Sequence, residues 1–322
     1  MRAAKLFFKK TFILLFILTI SFTLGLFYFF KSKDAPILKG EVIHHIKYKK
    51  DLTLDLYLPT NKVYSKSPVI LFIHGGAWMV GRKETINLNR FHGAINKLRD
   101  KGYAVVSPEY TLAQNGHSPF PNCINDGIDA LQWIKNNAEN YTFDLNNIGV
   151  FGESAGAQIA MMTALAQGKG FHDTKLKAQY IVDIYGPNNL DALYHMPLVD
   201  SAYKMLESVP ASFRSNFDIT KHLFGFDPKV DPEKTKLFME KYSPIRYTDE
   251  NCPPVLIIHG KNDQVVPVSQ SLDFQHLLDS IGIQNEIHLL DSVDHTFRGI
   301  TETQRSEVQD WVIDFIERNY QK

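Results

Sequence analysis

One serine in this sequence sits where its hydroxyl could act as a nucleophile. Ser154 is the third residue of Gly152-Glu153-Ser154-Ala155-Gly156, a G-x-S-x-G pattern. The pattern alone is common, and its context gives it weight. The apolar run Ile148–Phe151 before it reads as a buried strand, and a helix opens directly after it from Ser154 to about Ala166. Glycines on both sides allow a sharp turn that lifts Ser154 above the sheet, because side chains there would meet neighbouring backbone. A serine hydroxyl needs a base to activate it, and the base needs an acid to orient it. In strand–turn–helix serine sites the chain order is serine, carboxylate, imidazole. Asp263 lies just after the apolar segment Val255–His259, in Gly260-Lys261-Asn262-Asp263, and His295 lies just after the segment Glu286–Leu290. Asp291 and Asp294 stand close to His295 in sequence and are alternative acids.

Such a reaction also needs donors for a developing oxyanion. His74-Gly75-Gly76-Ala77-Trp78 follows the apolar run Pro68–Ile73, and two successive glycines let backbone N–H groups approach a ligand closely. Gly75, Gly76 and the N–H of Ala155 at the helix start are the candidate oxyanion hole. Trp78 is a candidate substrate contact. His74 is expected to shape the loop by hydrogen bonding. His44-His45, His92 and His117 lack metal-ligand spacing, so neither a metal nor another cofactor is expected. Cys123 and Cys252 are too few for a disulfide framework and read as isolated packed thiols.

The elements that must position these residues alternate along the chain. Val42–Tyr48 and Leu52–Leu58 form a hairpin signal around Lys49-Lys50-Asp51. Strands are expected at Pro68–Ile73, Tyr103–Ser107, Ile148–Phe151, Tyr180–Tyr185, Val255–His259 and Glu286–Leu290. Helices are expected at Asn122–Asn137, after Ser154, at Ser269–Ile281 and at Glu302–Asn319. That makes an α/β domain over residues 40–322, an eight-stranded and mostly parallel sheet flanked by helices, with the hairpin as its antiparallel edge. Residues from about 186 to 251 interrupt the alternation and read as a cap over the carboxyl edge of the sheet. Asp126, on the helix after residue 122, is expected in a structural salt bridge or hydrogen bond.

The first residues are of another kind. Thr11–Phe30 carries no charge and is long enough, at roughly 30 Å, to cross a bilayer core. Residues 1–10 are basic, and residues 31–39 form a short linker containing Pro36. We expect a single-pass anchor with the N-terminus in the cytoplasm and the large domain outside. The alternative is a cleaved signal followed by secretion, which the bulky end of the run, Leu26-Phe27-Tyr28-Phe29-Phe30, disfavours. Across the 322 residues, 35 Lys and Arg balance 35 Asp and Glu, so no basic excess invites nucleic acid.

Taken together, His74-Gly75-Gly76-Ala77-Trp78, Gly152-Glu153-Ser154-Ala155-Gly156, Gly260-Lys261-Asn262-Asp263 and Asp294-His295 resemble the α/β-hydrolase esterases. The resemblance is strongest to the hormone-sensitive-lipase-like group and to the bacterial feruloyl- and acetyl-xylan-type carboxylesterases. Ser107-Pro108-Glu109-Tyr110, Pro119-Phe120-Pro121 leading to Asp126, and His259-Gly260 look similar too. The resemblance implies Ser154 as nucleophile, His295 as base, Asp263 as acid, and a serine carboxylesterase acting on small or short-chain acyl esters, an acylated carbohydrate among them. Two departures stand out. Ala77 occupies the place of a third glycine, and Glu153 that of a common Asp. An amide hydrolase, peptidase or formamidase, on the same triad is the rival of like chemistry. A non-catalytic, membrane-tethered binding protein is the rival of another class. The sequence does not set the oligomeric state.

Overall fold

The computed structural model describes residues 40–87, 92–114, 116–195 and 219–321. The expected anchor (11–30), its basic flank (1–10) and the linker (31–39) lie outside the described residues. Among the described residues no helix is long and apolar enough to cross a membrane.

Eight strands form one sheet: β1 (Val42–Lys47), β2 (Thr53–Tyr57), β3 (Ser67–Ile73), β4 (Ala104–Pro108), β5 (Phe143–Glu153), β6 (Tyr180–Ile184), β7 (Val255–Gly260) and β8 (Asn285–Leu290). Their spatial order is β1-β2-β4-β3-β5-β6-β7-β8. The first two pairings, β1 with β2 and β2 with β4, are antiparallel, and every later pairing is parallel. Parallel strands covered on both faces read as unbroken apolar runs. Accordingly Val69–Ile73 and Val255–Ile258 are fully buried.

The helices among the described residues are α1 (His92–Asp100), α2 (Asn122–Asn136), α3 (Ala138–Tyr141), α4 (Ala155–Leu165), α5 (Leu190–Tyr194), α6 (Ile219–Phe224), α7 (Pro232–Lys241), α8 (Ser269–Ser280) and α9 (Glu302–Arg318). Helix α4 is buried on nearly every side, from Ala155 to Thr163, which is why its sequence is apolar all round rather than two-faced. Helix α9 opens with a capping box, Thr301 and Gln304 each satisfying the other's backbone N–H, and buries Val308, Val312, Phe315 and Ile316.

Strand β5 and helix α1 differ from the sequence expectation. Strand β5 begins at Phe143, five residues before the expected Ile148. The polar residues that hide its start are used locally: Asp144 accepts from Asn146 N–H and Asn147 Nδ2, and Asn147 also bonds the backbone of Gln321. Helix α1 was not foreseen, since only Ala94, Ile95 and Leu98 mark its buried face.

The sheet also carries a carboxyl group in an unfavourable place. Asp183 on β6 is fully buried; its Oδ1 accepts the Gly186 N–H at 2.8 Å, and Oδ2 has no partner among the described residues. Burial pushes this carboxyl up to about 7, against a hydrogen bond that lowers it. The folded value therefore lies above the unfolded one. The stability this contributes is complete below about pH 4 and is lost as pH rises through about 7. Asp183→Asn keeps the acceptor for Gly186 and removes the charge. Denaturant titration is expected to show it more stable than the parent at pH 8, by on the order of 4 kcal/mol, with little gain at pH 4. Equal effects at the two pH values would contradict this.

Candidate active site

Ser154 lies between the end of β5 and the start of α4 at φ 52°, ψ −126°, a backbone conformation that a non-glycine residue adopts at a cost of roughly 1–3 kcal/mol. Its surroundings hold it there. Ser154 N–H donates to Ile184 O at 2.9 Å, and its carbonyl accepts from Ala157 N–H and Gln158 N–H. The flanking glycines are required by close approach. A Cβ on Gly152 would stand 2.3 Å from Gly156 O, and one on Gly156 would stand 2.2 Å from Ile73 O.

His295 begins the short turn after β8. Its Nε2 lies 3.0 Å from Ser154 Oγ, and its Nδ1 lies 2.7 Å from Asp263 Oδ2. A carboxylate facing Nδ1 fixes the proton on that nitrogen and leaves Nε2 free to accept the serine proton. Asp263 is itself held by backbone: its Oδ1 accepts N–H groups of Val265 and Val266, both at 2.8 Å. Burial works to raise the Asp263 carboxyl. The His259 and His295 imidazoles and the Val266 N–H outweigh burial and hold it well below the usual carboxylate range. The alternative acids are engaged elsewhere. Asp294 accepts the N–H groups of His295 and Gln264 and pairs with Arg298, and exposed Asp291 pairs with Lys261.

The loop after β3 meets this line from the other side. A side chain on Gly75 would stand 3.4 Å from Ser154 Cβ, so the backbone there passes directly beside the nucleophile. Gly76 takes φ 127°, and a Cβ on it would overlap Val80 O. Ala155 is the first residue of α4, so its N–H has no partner inside the helix. His74 is buried; its Nδ1 bonds Gly75 O at 2.8 Å, and its ring stacks on Tyr110 at 4.4 Å. Burial brings His74 down to about 4, so it is a neutral Nδ1–H donor that shapes the loop, as expected. Trp78 is 7% exposed. Its indole N–H donates to Gln158 Oε1 at 2.9 Å, and Gln158 Nε2 donates to Tyr242 O at 2.8 Å, just past α7. Trp78 is thus tied through Gln158 on α4 to the residue just past α7.

Of the cap expected over residues 186–251, α5, α6 and α7 are described, and residues 196–218 lie outside the described residues. Helix α7 packs Phe238 edge-on against Phe120 at 5.6 Å, and Tyr242 stacks on the same ring at 4.6 Å. A cavity of about 1090 Å³ opens between these aromatics and the back of the loop at His74 and Gly81. Neither Ser154 nor His295 is in its walls, so it adjoins the site rather than containing it.

Three residues at the site were not assigned from sequence. Tyr185, at φ 42°, sets its ring 4.9 Å from His295 and donates its hydroxyl to Glu153 Oε2 at 2.8 Å. His259 is fully buried beside Asp263, 3.2 Å from Oδ2. Gln158, one turn beyond Ser154, is a polar residue in an otherwise apolar stretch of helix, a signal that could have found it. Asp126 is fully buried and makes the kind of bonds expected of it, accepting from Thr111 N–H, Thr111 Oγ1 and Lys49.

His45, Asp55 and Glu84 bring ligand atoms within 4.8 Å of one another. The buried Lys83 ammonium already sits among them, 3.1 Å from His45 Nδ1, 2.6 Å from Glu84 and 3.7 Å from Asp55. The cluster therefore contains its own cation and ties the loop after Gly81 to the edge hairpin.

The chain is similar to known proteins in sequence and in fold. The chain is 26% identical over 274 residues to a probable carboxylic ester hydrolase, LipM, of Mycobacterium tuberculosis, covering 80% of this chain and 54% of that protein. It is 29% identical over 284 residues to a probable isoprenylcysteine alpha-carbonyl methylesterase, ICMEL1, of Oryza sativa subsp. japonica, covering 84% and 59%. The chain thus spans about half the length of these relatives. Among solved structures, a truncated carbohydrate esterase from gut microbiota superposes with a TM-score of 0.66 at 22% identity, over 87% of this chain and 96% of that one. An esterase B of Lactobacillus rhamnosis superposes with a TM-score of 0.65 at 17% identity, over 95% and 96%. These likenesses establish the α/β-hydrolase fold. The BD-FAE family pattern matches residues 54–278, well over half of the chain, and this protein is a member of the BD-FAE family.

Proposed function

We propose that the protein is a serine carboxylesterase that hydrolyses small or short-chain acyl esters through an acyl-enzyme. The observation that carries this reading is the unbroken line Ser154 Oγ, His295 Nε2, His295 Nδ1, Asp263 Oδ2, with contacts of 3.0 and 2.7 Å. Esterases and carboxylic ester hydrolases among the relatives support the same class.

The chemistry runs in two halves. Ser154 Oγ attacks the ester carbonyl carbon as its proton passes to His295 Nε2, and Asp263 stabilises the imidazolium that forms. The carbonyl oxygen becomes an oxyanion within reach of N–H groups from the Gly75-Gly76 loop and of Ala155. One such donor typically contributes about 3 kcal/mol. Collapse breaks the bond to the alcohol, which leaves with the proton from His295. Water, deprotonated by the same imidazole, then releases the acid and restores Ser154. The proton taken from Ser154 leaves on the alcohol and is replaced by one from water, so ester and water are the only reactants the cycle needs.

A series of p-nitrophenyl esters from acetate to laurate, with the matching p-nitroanilides, tests the substrate class. The expected result is turnover of the short esters, decline with chain length, and no comparable turnover of the anilides. Anilide cleavage at rates like those of the esters would favour the amide-hydrolase reading instead.

A further inference from the structure

We infer that His259 is a positioning residue for the reaction, the device that fixes the Asp263 carboxylate in place. The inference rests on the triad reading above and adds to it a residue outside the Ser154–His295–Asp263 line.

His259 is the fifth residue of β7 and is fully buried, and Asp263 follows it on the loop at the end of that strand. Its ring is gripped at both nitrogens. Nδ1 lies 2.7 Å from Ser271 Oγ on α8, and Nε2 lies 2.8 Å from Val266 O. A carbonyl oxygen only accepts, so Nε2 carries the proton, and Nδ1 accepts a hydrogen bond from the Ser271 hydroxyl. The same Nε2 stands 3.2 Å from Asp263 Oδ2, the oxygen that faces His295 Nδ1.

Val266 is therefore held from two sides. Its carbonyl is bound by His259, and its N–H, with that of Val265, is spent on Asp263 Oδ1. One imidazole closes the 263–266 turn that presents the carboxylate and also brings a positive N–H end to the oxygen that orients the base. The ring of Tyr185 lies edge-on to His259 at 6.4 Å and tilted against His295 at 4.9 Å, so one side chain packs beside both imidazoles.

Two consequences follow for the reaction. Without the Nε2–H, Asp263 has more freedom to leave the plane of His295, and misplacement of about 1 Å at a reacting group costs roughly a hundredfold in rate. The negative charge on Oδ2 also becomes less compensated, which favours the protonated form of His295.

The test compares His259→Phe, which keeps a flat ring without a donor, with His259→Gln, whose amide nitrogen can replace Nε2–H. Both are read on p-nitrophenyl acetate across pH 5 to 9. His259→Phe is expected to lower kcat roughly tenfold to a hundredfold at unchanged KM, and to raise the midpoint of the acidic limb of kcat/KM by roughly one unit. His259→Gln is expected to recover most of the rate and the parental limb. Wild-type kcat and pH profile in folded His259→Phe would overturn the inference, as would an equal defect in His259→Gln.

If His259→Phe does not fold, the parent protein decides by ¹⁵N-histidine spectra at pH 8, with the His259 signal assigned by its loss in His259→Gln. A neutral Nε2–H tautomer is expected, and an Nδ1–H tautomer would overturn the inference. The triad reading fails separately. Activity surviving in Ser154→Ala would remove that reading, whereas a dead Ser154→Ala beside a fully active His259→Phe would remove this inference alone.

Discussion

Replacing Ser154 by Ala is expected to lower kcat on p-nitrophenyl acetate by roughly a millionfold, with the fold and thermal stability kept. The loss is large because Oγ is the atom that forms the new bond, and no neighbour can stand in for it. Among the described residues, Ser154 Oγ is the hydroxyl bonded to His295 Nε2, at 3.0 Å. Residual hydrolysis, carried by a water in the emptied position and by the backbone donors, is expected to remain above the uncatalysed rate. Alanine at this position also lacks the help of glycine at φ 52°, so the strain of the turn stays as it is in the parent. Activity and stability are therefore expected to separate: a circular dichroism melt like that of the parent, and turnover near the assay floor.

The second large effect belongs to Asp263. Asp263→Asn changes one atom, and the surrounding backbone dictates how the amide must lie. Val265 and Val266 N–H groups both point at Oδ1, so the amide oxygen stays there and the NH₂ takes the place of Oδ2. That NH₂ then faces His295 Nδ1 at the 2.7 Å contact and forces Nδ1 to become the acceptor. The proton moves to Nε2 and points at Ser154, which leaves the serine without a base. A loss of about ten-thousandfold in kcat is expected at neutral pH, with little change in KM. Steady-state kinetics on the short ester measures it. A loss below about tenfold would mean that Asp263 does not orient the base. Asp294 is then the next carboxylate to examine.

Much of this was legible in the sequence, because the chemistry is bound to local patterns. Gly152 and Gly156 had to be glycines for packing reasons, and the strand before Ser154 is apolar because parallel strands are buried on both faces. Asp263 and His295 each follow an apolar strand, and parallel strands deliver their following loops to one edge of the sheet. Other features were hidden because their causes are tertiary. The start of β5 is written in Asp144, Asn146 and Asn147, residues that satisfy one another and the chain terminus instead of advertising a strand. Tyr185 is a bulky residue at positive φ, a conformation that sequence propensity argues against and that contacts with His295 and Phe297 make sense of. Trp78 could be read as a substrate contact from its place after two glycines. Only the fold reveals that its N–H is used by Gln158 and its ring by Phe120. Spacing likewise leaves Asp263, Asp291 and Asp294 open as partners of His295, and in the fold it is Asp263 whose Oδ2 faces His295 Nδ1, while Asp294 and Asp291 bond elsewhere.

In the proposed reaction Ser154 Oγ, activated by His295, takes the acyl group. Treatment with a p-nitrophenyl alkylphosphonate tests it most directly, since such a reagent phosphonylates an activated serine and stays there. One phosphonyl group per chain is expected by intact mass, located on the peptide containing Ser154, formed in step with loss of esterase activity and absent from Ser154→Ala. Full esterase activity in an unmodified protein, or modification of any other residue in step with inactivation, would contradict it.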